Sequence, residues 1–199
     1  MADKKSKVKK LAQPSKRELA NDFYPMFLRL MQNGLEIEAY LLILSTWNIS
    51  RFKFVVTDFN LVKFKEQIKR LEPLFNKFKR TDFRTINFDE YSVEIKKIFR
   101  TLSAIKGVEK TGASKIMHLK VPETFVMWDD KIRHNYDCSS KEDGQDHLEF
   151  LKKMQELYGH MKDKSGRTLA KRIDEHNYAT ITEPALNKAK RSRQALSRS

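Results

Sequence analysis

The chain has 199 residues, 40% hydrophobic and 33% charged, with a single cysteine and a net charge of +14. Such a composition fits one folded domain with a real core and excludes a disordered chain, while the lone Cys138 excludes an internal disulfide. No apolar run approaches the roughly 20 residues of a membrane span, and the polar, Lys-rich start carries no secretory signal, so a cytoplasmic protein is expected, nucleoid-associated or, in a eukaryote, nuclear.

The charge is concentrated at the ends. Residues 1–19 carry a net +5 and residues 185–199 another +5, leaving +4 for everything between. Basic ends of this kind attract polyanions through counterion release, and they serve equally as solvated solubility segments.

Residues 1–14 are lysine-rich and poor in apolar side chains, the composition of a disordered arm. Order is expected from Ser15, because Ser15-Lys16-Arg17-Glu18 has the form of a capping box. The helix that follows presents Leu19, Phe23, Phe27, Leu30 and Met31 on one face, is kinked or broken at Pro25, and stops near Asn33-Gly34. Leu35 to about Ile49 is apolar nearly all round, which predicts a buried central helix. Arg51–Thr57 alternates briefly and reads as a connector. Leu61, Phe64, Ile68, Leu71, Phe75 and Phe78 then recur at helical spacing, interrupted or bent at Pro73. Tyr91 to Ile105 and Leu148 to Met161 form two further helical stripes. A short helix from about Arg167 to His176 precedes an irregular stretch, Tyr178–Pro184. Seven to nine helices of ordinary length are expected: an all-α domain over 15–184, with a basic, disordered tail over 185–199.

Chemistry concentrates between Gly107 and Tyr136. A turn containing Gly107 joins two predicted helices, the second over Ser114–Lys120, and small residues stand where that helix begins. Such a turn gathers backbone N–H groups at a helix N-terminus, which suits a phosphate, and Lys106 and Lys110 flank it. An ordinary helix–helix turn with solvated lysines has the same appearance. Asp129 opens a further helix, where an Asp is a good N-cap whatever else it does. The five histidines show no metal spacing. Trp47 and Trp128 are suited to base stacking, although core packing is the commoner fate.

The run Ile105-Lys106-Gly107-Val108-Glu109-Lys110-Thr111-Gly112-Ala113, followed by a helix, a loop and Trp128-Asp129-Asp130-Lys131-Ile132, resembles the helix-hairpin-helix superfamily of DNA base-excision glycosylases over about residues 93–137. Ile105, Gly107, Val108 and Ala113 match the hairpin, and Asp129 falls 18 residues after Thr111, at the family's essential Asp. The resemblance implies a helix-hairpin-helix glycosylase-like fold acting on double-stranded DNA as a monomer, without a membrane, metal or cofactor. The iron–sulfur cluster of some members needs four cysteines. The hairpin would grip backbone phosphates through Lys106, Gly107, Val108, Lys110, Thr111 and Gly112, aided by Lys131 and Arg133. One nucleotide would be flipped out and its N-glycosidic bond cut, with Asp129, or its neighbour Asp130, as the key carboxylate.

Three departures bear on that expectation. Lys106 stands for the hairpin Pro, Glu109 for its second Gly, and Thr111 for the lysine with which some members form a Schiff base. Lys115, one helical turn after Thr111, and Lys110, one residue before it, are the candidate replacements. The other functions compatible with the sequence are a non-catalytic DNA-binding module using the same hairpin and an RNA-associated basic protein bound through its tails.

Overall fold

A computed structural model describes residue 11 and residues 23–53, 57–138, 144–162 and 166–196. Among these residues every regular element is helical. In chain order they are α1 (Tyr24–Gln32), α2 (Glu36–Trp47), α3 (Ile49–Phe52), α4 (Leu61–Phe75), α5 (Ser92–Ser103), α6 (Glu109–Lys120), α7 (Asp130–Asn135), α8 (Gln145–Tyr158), α9 (Leu169–Asn177) and α10 (Glu183–Leu196). The all-α expectation holds. No described helix is long and apolar enough to cross a membrane.

The helix ends follow the local chemistry. Pro25 neither kinks nor interrupts α1 but sits in its first turn, where a missing N–H costs nothing; the capping box at Ser15 and the basic arm lie outside the described residues. Gly34, at φ 75°, closes α1: its N–H donates to Met31 O (3.1 Å) and that of Leu35 to Leu30 O (2.9 Å). Helix α2 is the expected central element, with Ala39, Tyr40, Ile43 and Leu44 buried and its other apolar side chains half-buried. The connector expected at Arg51 begins instead with a single helical turn, α3. The Asn60 side chain caps α4, and Pro73 does not stop that helix, which reaches Phe75 and tightens into a 3₁₀ turn at Asn76–Phe78.

Two elements differ more from the sequence reading. Helix α6 begins at Glu109 rather than Ser114, so the hairpin turn is tighter than the small residues suggest. Tyr178–Thr182 is a π-helix, not an irregular stretch, and α10 continues from it to Leu196. The basic C-terminal segment is therefore helical over most of its length, not disordered. Its alanines and long basic residues carry high helix propensity, and it propagates from a turn already formed.

The core explains where the site lies. Helix α6 packs on α5, α2 and α1, and everything from Gly112 to Leu119 is buried. Between Gly112 and Leu119 a charged side chain is out of water and meets a strong solvation penalty.

Candidate active site

The hairpin between α5 and α6 is built on two left-handed residues. Gly107 has φ 89° and Glu109 φ 51°. Glu109, unlike Gly107, bears a Cβ that opposes this left-handed backbone, at a cost of roughly 1–2 kcal/mol. The Glu109 side chain turns to the Arg51 guanidinium at 3.5 Å, and Arg51 also reaches Asp130 at 3.4 Å. All three side chains are about half exposed, so these pairs orient the groups more than they stabilise the fold.

Asn48 does the heavier work on the opposite face. Its buried carboxamide donates to Gly107 O (3.0 Å) and Val108 O (3.1 Å), fastening the turn to the end of α2. Gly112 permits that approach. A Cβ there would lie 2.8 Å from Leu44 Cδ2 and 3.0 Å from Asn48 Nδ2. Val108 points into the core, so only its backbone can serve a ligand, whereas Lys106 is exposed.

Past α6, the chain returns through Trp128 to Asp129. Trp128 is no stacking platform: it is fully buried, packs edge-on against Phe99 and His147, and its indole N–H donates to Lys110 O (3.2 Å). Asp129 caps α7, with Oδ1 accepting from the N–H groups of Lys131 (2.8 Å) and Ile132 (2.9 Å). Its other oxygen, Oδ2, accepts from the Thr182 hydroxyl at 2.7 Å. Asp130 faces outward to Arg51 and Arg133. The two neighbouring carboxylates are thereby separated: Asp129 is turned inward and fixed, Asp130 is part of a surface ion-pair chain.

The candidate lysines separate as clearly. The Lys110 amine is 3.0 Å from Asp146 Oδ2, and Asp146 is fully buried with its Oδ1 accepting from the Gly144 and His147 N–H groups. Arg133 also turns inward, 3.2 Å from Asp130 and 4.0 Å from Asp146. Lys115 lies inside the domain, and its amine donates to the Trp47 carbonyl. Burial holds its pKa down to about 8, only partly opposed by the negative charges of Asp174 and Asp129. Thr111 is half-buried and Lys131 is exposed.

Several residues at this place carry no sequence signal. Lys171, on α9, is buried with its amine 2.7 Å from Asp174 Oδ2, and it sits over the rings of Tyr24 (4.9 Å) and Trp47 (4.6 Å). The Tyr24 hydroxyl pairs with His118 Nε2 at 2.7 Å, while His118 Nδ1 lies 2.6 Å from Phe125 O. A carbonyl only accepts, so Nδ1 carries the ring proton and Nε2 receives that of Tyr24. Burial lowers the His118 pKa to about 3 and leaves the ring neutral. Lys115, Lys171, Asp174, Asp129 and Thr182 thus come from α6, α9, the α7 cap and the π-helix to form one inward-facing ionic group beside the buried ring of Tyr24 and the half-buried ring of Trp47. No family model, curated protein or solved structure compared with the chain matches it.

Proposed function

We propose that the protein is a DNA glycosylase of the helix-hairpin-helix kind, removing a damaged or modified base from a flipped nucleotide. The observation that carries this reading is the state of Asp129. It is an inward-turned carboxylate held on both oxygens, one helix beyond a turn with left-handed residues at both glycine positions of the resembling hairpin. Cleavage of an N-glycosidic bond sends the bonding electrons out with the base and leaves positive charge on the sugar. A fixed anion stabilises that charge without reorganising, which is the large part of such catalysis.

Lys115 is the amine suited to any Schiff-base step. Its lowered pKa supplies neutral amine near physiological pH, whereas Lys110 faces the buried carboxylate of Asp146. One observation favours a second reading, a DNA-binding module without catalysis: the three hydrogen bonds on Asp129 also suffice for a purely structural cap. Incubation with duplexes each carrying one altered base, followed by alkali or by borohydride, tests these. Alkali-dependent nicks support hydrolysis, an adduct lost in Lys115→Met supports the amine step, and tight binding without either product supports the module.

A further inference from the structure

We infer that α10 is a DNA-backbone grip, a cationic helix that lies along the phosphates of a duplex while its root sits at Asp129. The inference rests on the reading of Asp129 as the DNA-facing site for its location, but not for its chemistry.

Three observations converge on it. First, α10 carries Lys188, Lys190 and Arg191 on exposed positions and has no acid after Glu183, so the helix presents uncompensated positive charge. A solubility helix gains more from mixed charge, with i,i+4 pairs of opposite sign; α10 has none among these residues. Second, the helix is ordered in a definite direction. It grows from the π-helix Tyr178–Thr182, and it is chiefly those turns that join it to the rest of the domain. Single π turns recur at functional places because they displace a helix without ending it. Third, the last residue of those turns is Thr182, whose hydroxyl donates to Asp129 Oδ2. The exposed Lys131 lies two residues from that carboxylate. A duplex presented to Asp129 therefore meets the start of α10 and, with a phosphate charge about every 3.4 Å along each strand, extends well beyond it. The partner matching this charge is the phosphate backbone, and sequence plays no part in the contact.

The test uses the full chain and an undamaged duplex, titrated by fluorescence anisotropy across salt from about 50 to 200 mM. Replacing Lys188, Lys190 and Arg191 with Gln removes three cations, so the slope of log K against log salt should become shallower by about 2–3 and affinity at the lower salt should fall on the order of tenfold or more. Asn187→Lys, at an exposed position, should steepen the slope by about 1 and tighten binding. An unchanged slope in both variants would overturn the inference, as would equal or better binding of duplex RNA by the same residues. Because the probe carries no lesion, this outcome is independent of base excision: the helix can fail while Asp129 catalyses, and Asp129 can prove structural while the helix grips.

Discussion

The segment from the hairpin to α7 and the segment from α9 to the π-helix reach Asp129 from two sides, and they act by different means. On the first side the work falls mostly on backbone, fastened by one side chain. Gly107 and Glu109 adopt left-handed conformations, Asn48 bonds two main-chain carbonyls, and two N–H groups of α7 cap Asp129. On the C-terminal side the work is done by side chains: the Thr182 hydroxyl at Asp129, and Lys171 with Asp174 against Tyr24 and Trp47. Lys115 lies between the two sides, buried, with the charges of Asp129 and Asp174 acting on it. Local backbone geometry makes a rigid frame, and convergent side chains set the electrostatics inside it.

The sharpest way to break that division is Lys115→Met. The folded state holds the amine at a pKa of about 8, against about 10.5 when unfolded, so folding favours the neutral form. The charged amine consequently costs stability at pH 7, and the cost is relieved as pH rises from 8 to 10.5. Lys115→Met should be more stable than the parent by about 2–4 kcal/mol at neutral pH, with the difference shrinking towards pH 10.5. Urea unfolding at several pH values measures this, and a pH-independent difference would place the amine in water. Next in size is the frame itself. Asn48→Ala leaves the Gly107 and Val108 carbonyls without their buried donor and opens a void beside Gly112, a loss of about 2–3 kcal/mol in urea unfolding. DNA affinity should fall with it, since the turn is no longer fastened. A stable variant with full affinity would mean that the hairpin holds itself.

The smallest effect is the most selective. Thr182→Val keeps shape but removes the hydrogen bond to Asp129, and should slow single-turnover excision about tenfold, equivalent to about 1.4 kcal/mol, with binding hardly altered. Thr182→Ser should restore the rate. If Ser fails where Thr works, the methyl group and its packing matter, not the hydroxyl.

That division also accounts for what could be read from the sequence. The turn and the helix start are legible because their requirements are short-range: Gly107 for a left-handed residue, Asp129 for an N-cap. The helical stripes of α4, α5 and α8 are legible for the same reason, through the spacing of Phe64, Ile68, Leu71, Ile95, Phe99, Leu148 and Leu151. Thr182 and Asn48 are not, because nothing within a few residues of them records a partner 53 or 59 positions away, Asp129 and Gly107 respectively, and nothing near Lys171 records the distant rings of Tyr24 and Trp47 that its amine covers. What Gly112 makes room for, Leu44 and Asn48, is distant in sequence. The start of α6 is not legible because the side chain of Glu109 opposes the left-handed conformation with which the helix opens, and the Asn48 contacts that fasten the turn come from a distant helix end. The helical α10 is not legible because dense positive charge resembles a disordered tail, although its alanines, leucines and long basic side chains favour a helix once a first turn is supplied.

Single-turnover excision by Asp129→Asn and Asp130→Asn beside the parent decides whether Asp129, rather than Asp130, acts as the proposed carboxylate. Asp129→Asn should lose at least about 100-fold in rate while duplex affinity stays within about tenfold, and Asp130→Asn should excise nearly as fast as the parent. Equal excision by the parent and Asp129→Asn, or none by the parent on any altered base, would overturn the proposal.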